Sequence, residues 1–132
     1  MTRPTVLIAE DHEAVAEQLR SVLQAECDVV GVVRDGRSLI LAVDADMPEV
    51  IVSDVTMPGM DGLTAAQQIL RRHPGACIVF VTVHDDPCIV RRAVGLGALG
   101  YVLKGDAAEE LLVAVHSARA RHLHLSTNIK PL

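Results

Sequence analysis

The sequence predicts a single α/β domain built on a parallel sheet. Two observations carry that prediction: short apolar runs rich in Val and Ile recur along the chain, and longer stretches with helical spacing of their apolar residues lie between them. Composition is the third. Half of the 132 residues are apolar, yet Tyr101 and Phe80 are the sole aromatic residues. The core must therefore be aliphatic, which suits strands buried on both faces. A chain of this length is one domain that buries roughly two thirds of its unfolded surface.

The run Thr5–Ala9 opens the pattern as a strand. After it, Val15, Leu19, Val22 and Leu23 fall on one helical face at i, i+4, i+7 and i+8. Asp28–Val33 is the second strand. The helix expected around 36–46 keeps its spacing through Leu39, Ile40 and Val43, until Asp44, Asp46, Pro48 and Glu49 stop it. Val50–Ser53 is the third strand. Leu63, Ala66, Ile69 and Leu70 line the third helix, with Asp61 before Gly62 as its cap. The fourth strand is expected over 77–82, and Asp86 followed by Pro87 reads as the N-cap and first position of the fourth helix.

The run from Gly95 to Gly100 matches the spacing G-x-G-x-x-G, but a dinucleotide fingerprint must follow a strand and open a helix. This run closes a helix and leads into a strand, so Gly97 is expected as a helix C-cap. The fifth strand is expected over 101–103, and Asp106 with Glu109 resembles a capping box for the fifth helix. Past Ala120 the periodicity dissolves. Residues 1–120 are thus expected to form the domain, and residues 121–132 a tail or the start of an interdomain linker.

Charge excludes one class of partner. With a formal net charge of -5, the chain has no means of binding nucleic acid by neutralising phosphates, so any DNA contact must come from elsewhere. Cys27, Cys77 and Cys88 are odd in number and widely spaced, which indicates neither a disulfide framework nor a zinc site. They are expected reduced, in a cytoplasmic protein. The first apolar run ends at Glu10-Asp11, too soon for a signal peptide, and no run approaches a membrane span.

In a parallel sheet of this kind, ligands bind at the carboxyl ends of the strands. Those ends deliver Glu10 and Asp11, Asp54, Thr82 and Lys104. Carboxylates crowded into one crevice repel by roughly 4 kcal/mol per pair at ~4 Å and an effective dielectric of ~20, and a divalent cation relieves them. Hard oxygen ligands suit Mg2+, with Mn2+ as a substitute. Asp54 beside a metal, a cationic Lys104 and the Thr82 hydroxyl has the parts needed to take a phosphoryl group onto a carboxylate.

With "IAEDH", "SDVTMPGMDG", "VTVHDD" and "GALGYVLK" in this order and spacing, the chain resembles the receiver domains of two-component response regulators over about residues 4–120. The motifs "TVHDD" and "GALGYVLK" and the tail "LHLST" look most like the LuxR/NarL-type transcription regulators. The resemblance implies a flavodoxin-like, CheY-like, doubly wound five-stranded parallel sheet in order 2-1-3-4-5 with five helices. It implies that Asp54 is the phosphoacceptor and that a sensor histidine kinase is the donor. Metal binding would fall to Asp11 and Asp54, with Glu10 assisting through water and the Thr56 carbonyl completing the set. Thr82 and Tyr101 would form a switch pair, Tyr101 swinging inward as Thr82 moves. The surface of the fourth helix, fifth strand and fifth helix would then change partners, homodimerisation included. DNA would be reached only through an output domain not in this chain.

Two positions depart from the usual pattern. Glu10 stands where Asp is commoner, which implies altered metal geometry, and Ser53 replaces a larger apolar residue, which implies a looser contact behind Asp54. Tyr101 is open between switch and plain core residue, and His84 between the border of the pocket and an exposed loop. No role is expected for His12, His73 or His116, and His122 and His124 read as part of a solvated tail. Three rivals remain: a stand-alone receiver working through protein contacts, a pseudo-receiver that binds partners without phosphorylation, and a flavodoxin-like electron carrier. The last would need a loop rich in Ser, Thr and Gly after the first strand, where this chain has Glu10-Asp11-His12-Glu13.

Overall fold

The structure is a computed structural model that describes residues 3–129. Strands and helices alternate as β1 (Thr5–Ala9), α1 (Glu13–Leu23), β2 (Asp28–Val33), α2 (Gly36–Ala45), β3 (Val50–Ser53), α3 (Gly62–Arg72), β4 (Ile78–Thr82), α4 (Pro87–Leu96), β5 (Gly100–Leu103), a single 3-10 turn at Lys104–Asp106 and α5 (Ala107–Arg119). A two-residue strand, β6 (His124–Leu125), follows. All pairings are parallel and the sheet order is β2-β1-β3-β4-β5-β6. The expected five-stranded order is present, with a sixth strand added at the β5 edge.

Alternation along the strands sorts the core into two layers, because successive side chains of a strand point to opposite faces. Leu7, Ala9, Ile51, Ile78, Phe80 and Tyr101 meet α2, α3 and α4 on one side. Val6, Ile8, Val50, Val52, Val79, Val81 and Val102 meet α1 and α5 on the other. Both faces of the central strands are buried, and β3 and β4 have no exposed residue. The aliphatic composition is thereby explained.

Local punctuation places the helices. Asp35 and Asp61 cap α2 and α3 by accepting from Ser38 N and Thr64 N, at 2.8 Å and 2.7 Å. Asp86 caps α4 through Cys88 N, and Gly97 closes it in the left-handed region at φ 109°. Gly62 is required by close approach, since a Cβ there would lie 1.9 Å from the Asp54 carbonyl oxygen. The start of α3 is thus pressed against the residue that ends β3.

Two expectations are corrected here. Asp106 makes no capping bond to α5, because its carboxylate is engaged by Ser126 Oγ and, at 2.8 Å, by Asn128 Nδ2. The stretch after Ala120 is also not a free tail over its described part. Arg121 turns the chain at φ 64°, and His124 and Leu125 then pair with Gly100 and Tyr101. Residues 130–132 of the expected tail lie outside the described residues.

Candidate functional site

The carboxyl ends of β1, β3, β4 and β5 lie side by side, as the register pairs Ala9 with Ser53 and Thr82 with Leu103. Above them opens a cleft of about 610 Å³ lined by Asp11, His12, Asp54, Thr56, His84 and Lys104, among others. Asp54 is only 6% exposed. Its Oδ1 accepts from Val55 N at 2.7 Å and, more weakly, from Thr56 N at 3.4 Å. Its Oδ2 accepts from Lys104 Nζ at 2.9 Å.

Lys104 also lies 2.7 Å from Glu10 Oε1. That contact is an ion pair without hydrogen-bond geometry, so Glu10 Oε1 has no donor. Burial alone would push the Lys104 ammonium down, but Glu10 and Asp54 outweigh it and hold its pKa above the usual lysine value. The lysine is therefore a fixed cation at the acceptor.

The acidic pair splits between burial and exposure. Glu10 is fully buried, and its Oε2 accepts from the backbone N of His12 at 3.0 Å and meets His12 Nδ1 at 3.1 Å. Asp11 is half-buried, and its Oδ1, though inaccessible, has no hydrogen-bond partner. Ligand atoms of Glu10, Asp11 and His12 lie within 4.8 Å of one another. Buried polar atoms are normally paired. An Asp11 oxygen without a donor, in the same cleft as the Asp54 carboxylate, therefore fits a hard divalent cation.

Thr82 is fully buried below the cleft, and its Oγ accepts from His84 N at 3.3 Å. Tyr101 is likewise fully buried, and its hydroxyl donates to the His84 carbonyl at 2.7 Å. Burial, then the charges of Asp54, Asp85 and Asp86, push its phenol far above the ordinary tyrosine value. The ring points inward, in the core position that the sequence left open beside the switch reading. The Thr56 hydroxyl and His84 Nε2 share a hydrogen bond of 2.8 Å, and both residues line the cleft.

Three groups make contacts that the sequence did not indicate. His12 braces Glu10, and only its position beside the acidic pair could have signalled this. Ser53 is buried and donates to the Asp54 carbonyl at 2.8 Å, so the contact behind Asp54 is a hydrogen bond where a looser fit was expected. His124 Nε2 meets Glu110 Oε1 at 2.8 Å, where a solvated tail was expected.

Comparison with known proteins agrees with the geometry. The family described as response regulator receiver domain matches residues 6–116. The response regulator GacA of Pseudomonas protegens is 34% identical over 94% of this chain and 59% of its own length. A two-component response regulator of the LuxR family from Aurantimonas superposes with a TM-score of 0.92 at 26% identity, over 97% of this chain and 93% of that one. The isolated receiver domain of RcsB from Salmonella enterica, solved with the phosphomimetic BeF3-, gives 0.88 at 28% identity over 97% and 96%. The chain spans between 48% and 59% of the length of the curated relatives DegU and GacA.

Proposed function

The chain belongs to the response regulator receiver domain family, and from that membership we propose that Asp54 accepts a phosphoryl group from a sensor histidine kinase. One observation carries the reading: a buried Asp54 is gripped by Lys104 at 2.9 Å while, in the same cleft, Asp11 keeps a carboxylate oxygen without a donor. Glu10, Asp11, Asp54 and the Thr56 carbonyl would hold Mg2+, or Mn2+ in its place. The ion, when bound, offsets negative charge on the phosphoryl oxygens.

The chain's own groups do the rest. An Asp54 carboxylate oxygen forms the new P–O bond in line as the P–N bond to the kinase histidine breaks, and the electron pair returns to that imidazole, which takes up a proton. Lys104 steadies the charge that grows on the transferring group. The Thr82 hydroxyl, which accepts from His84 N, keeps its own proton free to donate to a phosphoryl oxygen. Water later attacks phosphorus and releases inorganic phosphate, restoring the carboxylate.

The signal is a population shift: Thr82 and the loop after it move, Tyr101 follows through the His84 carbonyl, and the α4–β5–α5 surface changes its preference for partners, a second copy among them. As in the LuxR-type relatives, DNA would be bound by an output domain outside this chain, in the cytoplasm. Among the described residues, no helix is long and apolar enough to cross a membrane.

Incubation with acetyl phosphate and Mg2+, read by intact mass, tests the acceptor. One phosphoryl adduct is expected, lost in Asp54→Asn and suppressed by a chelator. An adduct that persists in Asp54→Asn would move the site elsewhere. No adduct with any donor would favour a pseudo-receiver.

A further inference from the structure

The segment after α5 is tied down more heavily than its length requires. Its backbone joins the sheet through His124 N to the Leu99 carbonyl at 3.1 Å and Ser126 N to the Tyr101 carbonyl at 2.9 Å. Strand alternation then sends its side chains two ways. Leu125 and Ile129 pack on the layer that holds Tyr101, Phe80 and Val90. On the other side His124 and Ser126 reach the start of α5. There Asp106 receives Ser126 Oγ and Asn128 Nδ2, while Glu110 receives Thr127 N at 3.1 Å and meets His124. Two acidic side chains thus collect four partners from one short stretch.

Those anchors are mechanically joined to the acceptor. Tyr101 holds the segment with its carbonyl and the loop after Thr82 with its hydroxyl, 2.7 Å from the His84 carbonyl. Lys104, on Asp54, and Asp106, on Ser126 and Asn128, are the first and last residues of one 3-10 turn. A phosphoryl group on Asp54 adds ~1.5 to 2 negative charges and three strong acceptor oxygens. Lys104, already 2.9 Å from Asp54, is the nearest fixed cation. A shift of Lys104 toward the phosphoryl oxygens would be carried through the turn to Asp106 and its two partners.

We propose that residues 122–129 form a latch along the β5 edge, closed when Asp54 is bare and loosened when Asp54 is phosphorylated, so that phosphorylation frees the chain leading out of the domain. The latch rests on the phosphoacceptor reading above. It also covers the edge of β5, so the same step uncovers backbone groups that another strand could pair with.

Amide hydrogen exchange on the whole chain, with Mg2+ and with or without beryllofluoride, reads the acceptor and the latch in one experiment. Val55 and Thr56 amides are expected to respond at the acceptor, and His124 and Ser126 amides to exchange about five-fold faster or more when it is occupied. An acceptor that responds while the latch does not would overturn the latch and leave the acceptor reading intact. An acceptor that fails to respond would overturn both. Because coupling is reciprocal, the double variant Ser126→Ala, Asn128→Ala should open the latch without any phosphoryl mimic. It should also bind beryllofluoride about five-fold more tightly. An open latch with an unchanged beryllofluoride affinity would equally contradict the proposal.

Discussion

Asp54 depends on contacts that no single motif announces. Its two oxygens are divided between backbone donors on Oδ1 and Lys104 on Oδ2, and its own carbonyl is held by Ser53. The sequence made Asp54, Lys104 and the acidic pair legible because strand ends in a parallel sheet converge, so position implies proximity. It could not reveal the bonds that Ser53, His12 and Tyr101 make, because each depends on a side-chain rotamer fixed by packing. Tyr101→Phe keeps the buried ring and removes one hydrogen bond to the His84 carbonyl. Urea unfolding should show a loss of about 1 kcal/mol. A stability equal to that of the unchanged protein would mean that the bond contributes nothing.

At the scale of elements, short apolar runs located five strands, helical spacing located three helices and punctuation marked the other two, and short polar signals located three of the caps. Asp35 was not singled out, and the capping box at Asp106 and Glu109 was misread. Sequence spacing cannot tell a carboxylate that reaches back to its own helix from one taken by a distant Ser126 and Asn128. β6 was missed because two residues carry no period. Gly62 and Gly95 offer a paired test of how tightly α3 is pressed to the acceptor. A Cβ at Gly62 would strike the Asp54 carbonyl, while at Gly95 it would meet nothing within 4 Å. Gly62→Ala should therefore destabilise by about 1 to 3 kcal/mol or more. Gly95→Ala, inside α4, should stabilise by roughly 0.5 to 1 kcal/mol. Equal unfolding midpoints for the two variants would contradict the close approach.

At the scale of the whole molecule, alternating strands and helices imply a parallel sheet and the family resemblance implies its order, and the observed order β2-β1-β3-β4-β5 sets one crevice with three carboxylates and one lysine. The net charge of -5 and that acidic mouth suit the metal and phosphoryl uptake proposed above and do not suit phosphate neutralisation on nucleic acid. Everything in this account passes through one bond, the acyl phosphate on Asp54. Borohydride reduces an acyl phosphate to the alcohol, so treating the acetyl phosphate product with it and sequencing the peptides by mass spectrometry reads the acceptor directly. The account predicts homoserine at position 54 and aspartate unchanged at positions 11 and 61. Homoserine at any other position, with Asp54 intact, would contradict it.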